Sequence, residues 1–239
     1  MNLLLICGCG HTGSSILARI IGDHSDIYFI NRETGMFLAN RHYLEDEYLS
    51  EFGENAMREN RKIILEKTPR HIWHVDYIRR KYPGTKFILT TREGKDTVAS
   101  LYERTKDIDF SLTRYQDDSI LTLRQVFLGD TYLQHYEKLI ENPQCSIKNV
   151  CEWVGLNFEQ QMLNFHLKPI EWNLNNPYSS GQPNDHDQLR NKQVNSPLQK
   201  NTTSWQERVP KKYHAQIEDF FSKDGIGFKI MKDLGYPLV

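Results

Sequence analysis

LLLICGCGHTGSS, residues 3–15, decides how the rest of this 239-residue chain is read. A short Leu- and Ile-rich run passes into Gly8, Gly10 and Gly13. Ser14 and Ser15 then open an apolar-periodic segment, Ile16, Leu17, Ile20 and Ile21, that stops at Gly22. The pattern predicts a buried strand, a glycine loop and a helix. Glycines let backbone N–H groups approach an anion closely, and the helix start adds unpaired donors and partial positive charge. Laid on the nucleotide-triphosphate template GxxxxGK[ST], Gly8 and Gly13 take the glycine positions and Ser15 the hydroxyl, but Ser14 stands where the lysine belongs. Without that lysine the β/γ-phosphate contact is lost. The loop therefore reads as a cradle for a phosphorylated donor other than ATP or GTP.

Outward from the loop, strands and helices alternate. Residues 26–31, DIYFIN, read as a second strand delivering Arg32, Glu33 and Thr34, and residues 61–67, RKIILEK, as a third ending in Glu66, Lys67, Thr68 and Pro69. A helix is expected over 70–82, with Ile72, Val75 and Ile78 on one face. A fourth strand, KFILTT, follows over 86–91, directly before Arg92 and a helix starting near Asp96 that carries Ser100. Such alternation predicts βαβ units, hence an α/β fold in three layers with a mostly parallel central sheet, flanking helices and a P-loop-like first turn. Ligands bind such sheets beyond the strands' carboxyl ends, where these polar groups fall. A helix is expected within 40–51. Residues 105–122 read as a loop or short helix over the site, 119–141 as a long helix, and 148–154 and 159–165 as shorter ones. Residues 171–204 read as a long irregular loop and 210–221 as the last helix.

The length suits one domain, 1–239. Thirty basic and 31 acidic residues leave a formal charge of -1, so no nucleic-acid coat or polybasic membrane anchor is expected. The first apolar run is too short to span a membrane and lacks a preceding basic region, so the expected setting is cytoplasmic. Cys7, Cys9, Cys145 and Cys151 show neither metal spacing nor a disulfide framework. His71 and His74 read as surface residues on a helix with no third ligand, and no metal is expected.

Taken together, these residues resemble the sulfotransferases that use 3′-phosphoadenosine 5′-phosphosulfate (PAPS), the group that includes tyrosylprotein, bacterial and carbohydrate sulfotransferases. HTGSS, residues 11–15, resembles that family's 5′-phosphosulfate loop, with His11 where Lys or Arg is usual. REGKDTVAS, residues 92–100, resembles its 3′-phosphate motif, an Arg and a Ser eight positions apart. EKTP (66–69), YEKL (136–139), WVGLNFE (153–159) and LGYP (234–237) extend the similarity over nearly the whole chain.

The resemblance implies sulfuryl transfer from PAPS to a hydroxyl or amine, leaving adenosine 3′,5′-bisphosphate (PAP). It implies Glu33 as the general base with Glu66 in reserve, and Lys67 and His11 beside the transferring group. Gly10, His11, Thr12, Gly13, Ser14 and Ser15 would hold the 5′ end of the donor, and Arg92 and Ser100 its 3′-phosphate. Lys200 represents a late loop that closes on the nucleotide. The acceptor, whether a small molecule, glycan or peptide, is left open. Its contacts are expected from residues 36–60, 105–122 and 171–200, where Tyr43, Asp46, Tyr115, Asp117 and Trp172 would suit a sugar or a peptide. A P-loop phosphotransferase and a non-catalytic phosphonucleotide binder are the alternatives. The first would need a lysine at position 14 and a magnesium-binding Asp where Thr91 and Arg92 stand.

Overall fold

The computed structural model of the chain describes residues 2–172, 185–200 and 202–237. Five strands form one sheet: β1 (Asn2–Gly8), β2 (Ile27–Phe29), β3 (Ile63–Lys67), β4 (Lys86–Thr91) and β5 (Thr131–His135). All pairs are parallel, in the order β2-β3-β1-β4-β5. A parallel sheet must be covered on both faces, which is why its central strands carry apolar residues on both sides. The helices that cover it are α1 (Ser14–Ile21), α2 (Glu45–Arg58), α3 (Val75–Lys81), α4 (Gly94–Thr105), α5 (Ile108–Gln125) and α6 (Tyr136–Glu141). Then come α7 (Pro143–Val154), α8 (Asp185–Val194), α9 (Trp205–Arg208), α10 (His214–Phe220) and α11 (Ile226–Asp233).

On one face, Leu17, Ile20 and Ile21 of α1 pack with Ile147 and Val150 of α7, Trp172 and Val194 against Leu4, Ile6, Ile63 and Leu65. On the other, Tyr48, Phe52, Ile72, Val75 and Ile78 pack against Leu3, Leu5, Ile64 and Phe87. A third cluster joins α4, α5, α10 and α11 through Val98, Leu101, Tyr115, Ile217 and Ile230. Strand β3 shows the period-two rule plainly, since Ile63 and Leu65 face the α1 layer and Ile64 the α2 layer. Glu66 and Lys67 continue the alternation, so one points to each side of the sheet.

The three-layer parallel α/β architecture agrees with the sequence reading, and the loop, first helix and fourth strand fall where expected. The second half differs. Residues 119–141 are not one helix, because α5 stops at Gln125 and β5 follows, paired to β4 from Phe87↔Thr131 to Thr91↔His135. Residues 108–125 are a regular 18-residue helix whose buried face includes Ser111, Asp118, Ser119, Thr122 and Gln125, which hides its periodicity from a hydrophobic template. The helix expected over 70–82 is a 3-10 segment, Pro69–His74, running into α3. Of the expected irregular loop, 173–184 lie outside the described residues, while α8 replaces it over 185–194, and α11 rather than 210–221 is the last helix. Among the described residues no helix is long and apolar enough to cross a membrane.

Candidate active site

The chain leaves β1 toward β3 and β2, then crosses to β4 and β5, so the topological switch lies between β1 and β4. The glycine loop occupies that crevice. Gly8 brings β1 so close to β4 that a Cβ would lie 2.7 Å from the Thr90 carbonyl oxygen. Thr12, 3% exposed, donates its hydroxyl to the Cys9 carbonyl (2.7 Å) and shares a 2.7 Å contact with the Thr90 hydroxyl. Its side chain thus closes the loop and ties it to β4. Gly13, at φ 83, begins α1, whose first turn carries no acidic residue, so the positive end of the helix is left for an anion. Ser14 is buried at that turn and Ser15 half-buried.

His11 adopts φ 69, a left-handed conformation in which His is enriched among non-glycine residues. Its Nδ1 lies 2.9 Å from the Ser100 hydroxyl. The side chain at the head of the first anion motif therefore touches the last residue of the second.

Arg92 leaves the end of β4 almost buried. Its guanidinium lies 4.7 Å above the Tyr136 ring and 3.4 Å from Asp96 Oδ2, while its buried Nε has no partner. A buried, charged donor without an acceptor is costly unless an anion completes it. The same Tyr136 ring closes over Gly13, where a Cβ would fall 2.5 Å from Cδ2. Tyr136 thus spaces the loop from Arg92, a role that the sequence reading, which noted only the YEKL match, did not assign. Arg208 also reaches this edge, 3.6 Å from Asp96 and 2.7 Å from Glu103, with 7% of its side chain exposed. Lys200, the late-chain candidate, is exposed and makes no ion pair with a described residue of the site. Among the described residues, Arg208 is a late-chain cation at this edge.

Glu33 follows the β2 edge, where the Ile30 N–H still donates to Leu65 O (3.0 Å), and pairs with the Lys67 ammonium. The carboxylate side chain is 24% exposed and the lysine side chain 1%. Lys67 also lies 5.0 Å over the ring of Trp172, a cation–π contact on the apolar floor.

Glu66 is fully buried and cannot reach an acceptor, which removes it as the reserve base. Its Oε1 accepts from the Thr34 N–H (3.1 Å), the Thr34 hydroxyl (2.9 Å) and the Thr68 hydroxyl (2.6 Å). Oε2 lies 3.1 Å from His71 Nδ1, while the other ring nitrogen, Nε2, accepts from the Phe37 N–H at 3.4 Å. Burial alone would raise this carboxyl's pKa, but the facing His71 and the bonds from His71, Thr68 and Thr34 outweigh it and hold it below its ordinary value. Glu66 therefore anchors the turn that presents Glu33. His71, expected at the surface, is fully buried as its partner. Tyr115 and Trp172, expected in acceptor loops, are core residues, whereas Tyr43 is 74% exposed. Among the described residues no cluster of three or more His, Cys, Asp or Glu is placed to hold a metal ion.

A model of the sulfotransferase family matches residues 33–160. A protein named "Putative protein-tyrosine sulfotransferase" from Caenorhabditis briggsae is 28% identical over 130 residues, 50% of this chain and 45% of that protein. The chain thus spans about half the length of this curated relative. Among solved structures, the sulfotransferase domain of the Synechococcus PCC 7002 olefin synthase superposes with TM-score 0.64 at 15% identity, covering 100% of this chain and 96% of that one. The sulfotransferase domain from the curacin biosynthetic pathway gives 0.61 at 13%, covering 99% and 98%. A mouse sulfotransferase complexed with PAP gives 0.59 at 14%, covering 97% and 88%. At these identities the likeness is one of fold.

Proposed function

Because the chain belongs to the sulfotransferase family, we propose that it transfers a sulfuryl group from PAPS to a hydroxyl or amine of a small-molecule, glycan or peptide acceptor. The observation that carries this reading is the pairing of two anion sites across one crevice. The glycine-serine turn and the Arg92 edge are linked by the His11–Ser100 contact and by Tyr136. A nucleotide with phosphate on both ribose ends fits that pairing. The partnerless buried Nε of Arg92 and the acid-free first turn of α1 both call for an anion.

In this reading the amides of Gly10 to Ser15 and the Ser15 hydroxyl hold the 5′ end of the donor. Arg92 and Ser100 hold its 3′-phosphate, a grip suited to guanidinium. PAPS supplies an activated sulfuryl group whose bond to phosphate is the one broken. Glu33, on the exposed side of its pair with Lys67, takes the acceptor's proton, a role typically worth ~10²–10⁴ in rate. Lys67, fixed between Glu33 and Trp172, offers a point charge to the oxyanion that develops as the phosphate departs. The pairing keeps base and cation adjacent before either is used.

The test is turnover of labelled PAPS over an acceptor panel, alongside PAP binding by calorimetry. Wild type should bind PAP without added metal and label at least one acceptor. Glu33→Gln should keep PAP affinity and lose ~10²–10⁴ in kcat. Failure of wild type to bind PAP sinks the donor assignment, and unchanged turnover in Glu33→Gln sinks the base.

A further inference from the structure

The loop's only side-chain cation by position is His11, where related loops carry Lys or Arg. The fold brings a permanent positive charge to the same loop, beside Gly10, from elsewhere. Helix α5 packs against β1 and the 3-10 segment at the site end of the sheet. From it Arg114 reaches the turn so closely that a Cβ on Gly10 would lie 2.9 Å from Nη2 and 3.4 Å from Cζ. A side chain at position 10 would have to push that guanidinium aside.

The guanidinium is aimed as well as near. Its Nε is held 3.4 Å from Oδ2 of Asp118, one helical turn on, leaving the Nη edge toward the loop. Asp118 is fixed in turn, since Trp73 of the 3-10 segment donates its Nε1–H to Oδ1 at 2.7 Å. The Asp118 side chain is 2% exposed and that of Arg114 15%, so the pair is held largely within the core.

We propose that Arg114 is the charge-bearing contact of the glycine loop, binding the phosphate or sulfonate at the donor's 5′ end in the place left by the Lys or Arg that His11 replaces. The assignment rests on the donor reading above and adds a residue to it. An arginine is always protonated near neutral pH, so the loop does not depend on His11 for its charge.

The experiment compares wild type, Arg114→Gln and Arg114→Lys as full chains, using PAP affinity by calorimetry, KM for PAPS and unfolding without ligand. Glutamine keeps a donor for Asp118 and removes the charge; lysine restores the charge without the planar fork. Arg114→Gln should weaken PAP or raise KM for PAPS by ~10-fold to 100-fold, the worth of one charge-assisted contact. Arg114→Lys should recover part of that loss, with ligand-free unfolding temperatures close together. A PAP effect locates the contact at the phosphate, and an effect on PAPS alone locates it at the sulfonate. The proposal is overturned if wild type binds PAP and Arg114→Gln changes both constants by less than twofold, or if only the acceptor's KM rises. Absence of PAP binding by wild type removes the donor reading, and this assignment with it.

Discussion

Removing the Glu66 carboxylate should damage both stability and catalysis, although it touches no substrate. Glu66→Ala strands the Thr34 N–H and the hydroxyls of Thr34 and Thr68, and removes the carboxylate 3.1 Å from Nδ1 of the fully buried His71. Leaving these buried donors without their acceptor costs about 3–5 kcal/mol in all, at ~1–3 kcal/mol for each. For a chain of this size each kcal/mol moves Tm by about 2–4 °C, so a fall of roughly 6–20 °C is expected. Glu66→Gln retains an acceptor for the two threonines and loses the charge of the carboxylate. At ~1.5–3 kcal/mol its Tm should fall by roughly 3–12 °C. The pH dependence separates charge from packing. Because the folded carboxyl titrates below its ordinary value of ~4.3, its contribution is fully present above that pH and is lost as pH falls through the folded value. Wild type should therefore lose this stability on acidification, and Glu66→Gln should lack that component. Scanning calorimetry from neutral to acidic pH reads both effects, and turnover reads the displacement of Glu33. An alanine variant melting within about 2 °C of wild type would refute the anchoring argument.

Two further outcomes follow from the same geometry. Arg92→Ala should weaken PAP by ~10-fold to 100-fold in calorimetry and raise KM for PAPS similarly, since it removes a charge-assisted contact; an unchanged Kd would place the 3′-phosphate elsewhere. Gly13→Ala combines φ 83 with a Cβ 2.5 Å from the Tyr136 ring. It should lower stability by about 1–3 kcal/mol and abolish detectable PAP binding, and restored affinity in Gly13→Ala/Tyr136→Leu would identify the ring as the obstacle.

The half of the fold nearest the loop was readable because its signals are local. A glycine turn after an apolar strand, Pro69 at a helix start, and Arg92 directly after KFILTT each declare themselves within a few residues. Strand β5 does not. Thr131–His135 alternates only weakly, lies at a sheet edge, and sits between leucines whose spacing imitates a helix, so its state is decided by pairing to β4. Helix α5 was hidden by polar residues on its buried face, although Asp107, whose carboxylate caps the Phe110 N–H, was a usable start signal. Among the candidate residues, Glu33, Lys67 and Arg92 lie at strand ends, where a sequence pattern can point to them. Arg114, Arg208 and Tyr136 are not marked in this way, because each reaches its place from a distant segment. His71 was misplaced for a related reason: a histidine looks like a surface residue until a buried acid such as Glu66 gives it a reason to be inside.

The back-to-back placement of Glu66 and Lys67 has a bearing on how the chain finds its alignment. With isoleucines and leucine on both sides of β3, oil alone scarcely distinguishes the native pairing from one shifted by a single residue. Such a shift would turn the acid toward Trp172 and the ammonium toward His71, burying two charges without partners. The charge alternation of Glu66 and Lys67 thus also selects strand alignment, so that a correctly paired β3 has Lys67 on the Glu33 and Trp172 side from the start.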